Sequence, residues 1–296
     1  FPTRRSSDLR KITVSSVSMA QYFADSGWDD ITIAFPCNIR EIQEINQLAN
    51  RITLNVVVDS LDTVLFLQKN LTHFVGVYIK IDCGFGRCGF RPTEIEYIKS
   101  IVEILSKTNF LEFAGILAHN GHIYQLRDKK QIAAGYKTTA EVLYDLKTVL
   151  QSENPALVVS YGDTPTCNLV DKFTLVDELR PGNFIFNDLM QWQIGSCQPA
   201  DIAVAVACPV VSSYPAENKI IIMGGAVHLS KEALVMENNR SIYGMAVPFT
   251  ENGWKFNGTG WAVVSLTQEH GIIECPDAEK IKPGDLVYVL PVHSCI

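Results

Sequence analysis

The period of the hydrophobic positions changes twice along the chain, near Arg10 and near Asn183. Between those points short β-branched runs alternate with longer stretches in which apolar residues recur every three or four positions. The runs Ile12–Ser15, Ile31–Phe35, Ile52–Val58, Val75–Ile81, Phe113–Ala118, Ala156–Ser160 and Leu175–Leu179 predict strands. Ser18–Ser26, Ile39–Asn50, Leu61–Asn70, Pro92–Lys107 and Ala133–Gln151 predict amphipathic helices. A strand-then-helix rhythm of this kind places a parallel sheet under covering helices. The predicted fold is α/β, a (β/α)8 TIM-type barrel whose first strand is missing, with a doubly wound open sheet as the alternative.

After Asn183 the helical period disappears. Ile202–Val211, Lys219–Ile222, Gly260–Leu266 and Asp285–Leu290 are strand-like and separated by Gly, Asn and Pro turns, which predicts a C-terminal all-β domain. The domain boundaries expected are 10–186 for the barrel and 187–296 for the β domain. Residues 1–9 carry no usable period and read as a cloning or assembly scar, with the natural chain cut at both ends.

Composition narrows the function. In 296 residues, 47% hydrophobic and 19% charged, there is ample material for a core. The formal charge of -7, with no long basic block, argues against nucleic acid or an anionic membrane as partner and favours a small-molecule substrate. No apolar run reaches the roughly 18 residues that a membrane helix needs, and no leader pattern is visible, so a cytoplasmic protein is expected. Eight cysteines in a chain this long are too few for a disulfide scaffold. Cys83 and Cys88 flank a glycine turn and could pair, but a reducing compartment disfavours it.

In such a barrel, chemistry collects after the C-terminal ends of the strands. There the sequence is unusually polar. Asp82-Cys-Gly-Phe-Gly-Arg87-Cys-Gly89 presents one guanidinium on a turn of three glycines, or is a plain turn with a solvated arginine. His119-Asn-Gly-His122-Ile-Tyr124 groups two imidazoles and a phenol, suited to stacking on an aromatic ligand or to proton transfer. Gly162-Asp-Thr164-Pro-Thr166 and Arg180-Pro-Gly182-Asn183 offer backbone and hydroxyl donors that can cradle a phosphate. At the chain's end His293 and Cys295 stand two apart, a spacing that puts both on one face of an extended strand and within reach of one metal ion.

Taken in order, these segments, with Glu269-His270-Gly271 and Gly284-Asp285, resemble the metal-activated D-serine dehydratase and D-threonine aldolase family. These are fold-type III pyridoxal-phosphate enzymes related to alanine racemase, and the resemblance runs from about Lys11 to the last residue. It implies that Thr164, Gly182 and Asn183 bind the cofactor phosphate, that Tyr124 and His119 touch the cofactor, and that Arg87 lies near its phenolic oxygen. It also implies that His293 and Cys295 ligate a divalent metal. A thiolate in that pair suits zinc and resembles the dehydratase branch, whereas the aldolase branch tends to a carboxylate and manganese. The expected substrate is a small D-β-hydroxy amino acid, most simply D-serine going to pyruvate and ammonia, in a homodimer when complete. D-threonine cleavage and a non-catalytic pyridoxal-phosphate-binding protein are the alternatives.

The family places the lysine that carries the cofactor at the end of the first barrel strand, which this chain does not contain. Lys11 stands at the entry to a strand, at the wrong end to replace it. The chain as printed is therefore expected to be inactive.

Overall fold

The structure, a computed structural model, describes residues 11–236 and 239–295, so that residues 1–9 and Ile296 lie outside the described residues. The chain divides into two compact units. In the first, β1 (Ile12–Val14), β2 (Asp30–Pro36), β3 (Thr53–Val58), β4 (Val75–Ile81), β5 (Leu111–Ala118), β6 (Val158–Tyr161) and β7 (Glu178–Leu179) form one sheet in sequence order. Every neighbouring pair in it is parallel. A doubly wound sheet needs a strand order that reverses at a switch point, so the unbroken order rules out that alternative.

The connecting helices are α1 (Val17–Asp25), α2 (Ile42–Ala49), α3 (Leu61–Asn70), α4 (Ile95–Ser106) and α5 (Lys129–Leu150). Ser16 and Ser60 cap α1 and α3 by accepting from the amides of Met19 and Thr63. Strand residues of one parity, such as Val77, Ile79 and Ile81, meet the buried helix faces, for example Ile98, Ile101 and Leu105 of α4. The other parity forms a smaller cluster of Val57, Tyr78 and Leu117 on the opposite face of the sheet.

Within the first unit, predicted and observed strands differ most at β7, where Leu175–Leu179 shortens to two residues. The Asp177 carboxylate accepts the Val159 amide at 2.8 Å, so a side chain occupies the place of one ladder bond.

The second unit gathers residues 124–132, 164–169 and 181–296. Its helices α6 (Thr164–Leu169), α7 (Leu189–Ile194) and α8 (Ala226–Leu229) are too short to show a period in sequence. The strands are β8 (Val206–Tyr214), β9 (Lys219–Met223), β10 (Leu234–Val235), β11 (Ser241–Ile242), β12 (Gly244–Pro248), β13 (Trp261–Leu266), β14 (His270–Glu274) and β15 (Leu286–Pro291). β10 and β11 pair as a two-stranded ribbon, and the other six close into an antiparallel barrel ordered β12-β13-β14-β9-β8-β15. β12 escapes the sequence pattern because Gly244 to Val247 is buried at every position and so lacks alternation. β15 is clamped by β12 on one side and β8 on the other, which fixes where the chain leaves the barrel. No helix among the described residues is long and apolar enough to cross a membrane.

Candidate active site

Parallel strands bring all their C-terminal ends to one edge of the first unit, and polar side chains line it. Lys80 shares the parity of Tyr78, so β4 turns it away from the helices, and it is only 4% exposed. Burial first, then the Arg180 guanidinium, brings its pKa down to about 8. Asp82 follows and shapes the glycine loop, its carboxylate accepting the amides of Gly84, Phe85 and Gly86 at 2.9–3.0 Å. Gly89 has φ +116, and a Cβ there would stand 2.9 Å from the Asp82 nitrogen and from Lys80 Cγ. Only glycine fits between those two strands of the turn.

Arg87 lies 5.3 Å above the Phe85 ring, and Phe85 meets His119 edge to face at 6.0 Å. His119 Nδ1 is 2.7 Å from the Gly162 carbonyl. A carbonyl only accepts, so Nδ1 carries the hydrogen. Burial outweighs that bond and lowers the His119 pKa to about 4. The ring is therefore neutral near pH 7 and supplies a flat face rather than an acid, which favours stacking over proton transfer. Arg180, 7% exposed at its side chain, donates from Nε to Ser160 Oγ at 2.5 Å and from Nη2 to the carbonyls of Ala118 and Ser160. The sequence marks Arg180 only as part of a turn, and Lys80 not at all, because a lysine inside an apolar strand resembles an ordinary outward-facing residue.

In the second unit Thr164, Tyr124, Gly182 and Asn183 come together. The Thr164 amide donates to the Tyr124 hydroxyl at 3.4 Å, and Thr164 Oγ1 accepts the Asn183 amide at 3.1 Å. A Cβ built on Gly182 would meet nothing within 4 Å, so the backbone there leaves open space for a bound group. The Asn183 side chain is engaged at both ends. Its Nδ2 donates to Asp188 Oδ2 and its Oδ1 accepts from Ser294 Oγ, each at 2.5 Å. What Asn183 can offer a phosphate is its backbone.

His293 and Cys295, the pair expected to bind a metal, are placed by what precedes them. Val292 is fully buried, and its carbonyl accepts the Met190 amide at 3.1 Å, pinning the strand end to α7. His293 Nδ1 then reaches Asp188 Oδ2 at 3.0 Å. Hydrogen bonding to Asp188, followed by that to Cys295, raises the His293 pKa to about 10. A carboxylate on Nδ1 orients the ring, the usual arrangement behind a metal-ligating histidine. With the neighbouring exposed Cys295 thiol, the donor set fits a borderline or soft divalent ion. No third His, Cys, Asp or Glu completes a metal cluster among the described residues. Asp188, 0% exposed, is the residue that sequence reasoning missed. Its one signal is a helix cap: Oδ1 accepts the Gln191 amide at 2.8 Å at the start of α7.

Other singled-out motifs are structural. Gly271 allows close approach to Gly224, whose carbonyl oxygen would stand 2.6 Å from an added Cβ. Asp285 accepts the Lys282 amide and closes a turn beside Gly284, whose φ is +95. None of the eight cysteines, Cys83 and Cys88 among them, is in a disulfide.

The family model of the alanine racemase N-terminal domain matches residues 3–189, more than half the chain, and that of the serine dehydratase domain matches residues 203–296. A D-serine dehydratase from Dictyostelium discoideum is 30% identical over 97% of this chain and 76% of its own length. A 3-hydroxy-D-aspartate aldolase from Paracoccus denitrificans is 32% identical over 95% of this chain and 71% of its own length. Among solved structures, D-threo-3-hydroxyaspartate dehydratase from Delftia sp. superposes with a TM-score of 0.84 at 24% identity, covering 96% of this chain and 77% of that one. A variant of that dehydratase with one cysteine replaced by alanine, solved in a metal-free form, matches at the same TM-score of 0.84 and 25% identity.

Proposed function

The chain belongs to the D-serine dehydratase family of alanine racemase-like enzymes, and on that premise we propose that it is a pyridoxal-phosphate- and zinc-dependent lyase of D-β-hydroxy amino acids, acting on D-serine. The observation that carries the reading is the His293–Asp188 pair beside Cys295: an imidazole already oriented for a metal, at the end of a strand in the matched dehydratase domain. The metal-free form described for the Delftia dehydratase variant supports a metal in this family, and the thiol argues for zinc over manganese.

When bound, pyridoxal phosphate supplies an electron sink for the substrate's α-carbon, and zinc supplies a Lewis acid for its β-hydroxyl. This chain's residues supply the rest. The amides and hydroxyls of Thr164, Gly182 and Asn183 would hold the phosphate, with the Tyr124 phenol beside them. His119, neutral and fixed by Gly162, would offer its face to the cofactor ring, and Arg87 would supply a positive charge to it. His293 and Cys295 would hold the metal, and the products expected from D-serine are pyruvate and ammonia. Cysteines outside any disulfide suit a cytoplasmic setting, and a homodimer is the assembly expected.

Lys11 lies at the N-terminal end of β1, 69% exposed and 3.2 Å from Asp30, so it offers no amine at the edge where the site forms. Products decide the reaction. With pyridoxal phosphate and zinc present, the protein is given D-serine or D-threonine. Pyruvate from D-serine supports dehydration, glycine with acetaldehyde from D-threonine moves the protein to the aldolase branch, and neither product would contradict both.

A further inference from the structure

We infer that Asp188 couples the metal site to the phosphate site, so that zinc on His293 and Cys295 tightens pyridoxal phosphate and the cofactor in turn tightens zinc. This rests on the cofactor and metal reading above and adds to it a positioning residue outside the ligand set. One oxygen, Asp188 Oδ2, accepts three hydrogen bonds: from Asn183 Nδ2 at 2.5 Å, from His293 Nδ1 at 3.0 Å and from the Ser294 amide at 2.9 Å. Its partner oxygen is spent on capping α7. A carboxylate held this way cannot turn toward one donor without loosening another.

The second clamp runs in parallel. Ser294, between the two proposed metal ligands, donates from Oγ to Asn183 Oδ1 at 2.5 Å. Asn183 is thus gripped at one end of its amide by Asp188 and at the other by Ser294 of the strand end, while its backbone N–H rests on Thr164 Oγ1 at 3.1 Å. Asp188, Asn183 and Thr164 are 0%, 5% and 1% exposed, so water does not compete for these bonds. A metal held by the His293 imidazole would draw electron density from the ring and make Nδ1–H a stronger donor to Asp188. The loop that presents Gly182 and Asn183 is then fixed in its binding geometry before phosphate arrives. Thermodynamic linkage requires the reverse effect to be equally large.

The test is a set of equilibrium titrations read without turnover: pyridoxal phosphate by quenching of tryptophan fluorescence, with and without saturating zinc, and zinc by a competing chromophoric chelator, with and without the cofactor. The wild-type chain is expected to show about tenfold tightening in each direction, within the range usual for coupled sites. Asp188→Asn turns an NH2 toward some of the donors and is expected to bring both factors close to one. Ser294→Ala removes a single hydroxyl from a strand end and is the variant least able to disturb folding; it is expected to lower both factors while each ligand still binds. A factor of one in the wild type with both ligands bound, or factors unchanged in both variants, would overturn the coupling and leave the lyase reading standing. Failure of the wild type to bind either ligand would overturn the reading and the coupling together.

Discussion

Replacing Lys80 by Met should stabilise the protein while weakening its hold on the cofactor. The Lys80 side chain is 4% exposed, and its pKa stands at about 8 instead of the ordinary 10.5. At 1.36 kcal/mol per pH unit, that difference corresponds to roughly 3 kcal/mol of penalty for carrying the charge in the folded state. Because the folded value lies below the unfolded one, the unfolded chain binds more protons between about pH 8 and 10.5. Wild-type stability should therefore rise with pH through that window, and the penalty is present in full below it. Met is similar in volume and carries no charge, so K80M should gain up to roughly 3 kcal/mol at pH 7 and lose that advantage above pH 10.5. Urea denaturation of both proteins from pH 6 to 10.5 measures the difference directly. A K80M protein less stable than wild type at pH 7, or a difference independent of pH, would refute the argument. A buried cation retained against such a penalty, on the edge shared with Arg87 and His119, fits a site for an anionic ligand, so K80M should also bind pyridoxal phosphate more weakly.

Three further outcomes follow from the same geometry. His119→Phe should keep most of the cofactor affinity and His119→Ala should lose it, since a ring that titrates at about 4 acts through its face, and affinity measured by absorbance should stay flat in pH from 6 to 8 with respect to this residue. Gly89→Ala forces a Cβ to within 2.9 Å of the Asp82 nitrogen at a φ of +116, and should cost roughly 1–3 kcal/mol in thermal or urea unfolding. Lys11→Ala should leave pyruvate release from D-serine unchanged, because Lys11 is 69% exposed beside Asp30 at the N-terminal end of β1; loss of release in that variant would show that its amine serves.

Much of this was legible because the first unit repeats one pattern. β-Branched runs at β3 and β4, the three-or-four-residue period of the helices, and glycine turns after the strands are local signals, and local signals survive in sequence. The strands of the second unit were read less well. Gly244 to Val247 is buried throughout, and His270–Glu274 is short with polar ends, so neither shows a period of two. The positions of His119, Thr164 and His293 could be picked out as chemistry at strand ends. Their partners could not. Asp188 lies 105 residues before His293, and its carboxylate matters only because the strand end folds back onto α7. Lys80 looked like any strand lysine until the parity of β4 showed it facing away from water.

The central claim is that a metal held by His293 and Cys295 serves lyase chemistry on a D-β-hydroxy amino acid. It is tested most directly by pyruvate release from D-serine by the protein loaded with pyridoxal phosphate, measured after metal stripping, after zinc is restored, and in the His293→Ala variant. Release that vanishes on stripping, returns with zinc and is absent from His293→Ala, while the cofactor stays bound, is the predicted result. Pyruvate formed equally well without metal, or by His293→Ala, would contradict it.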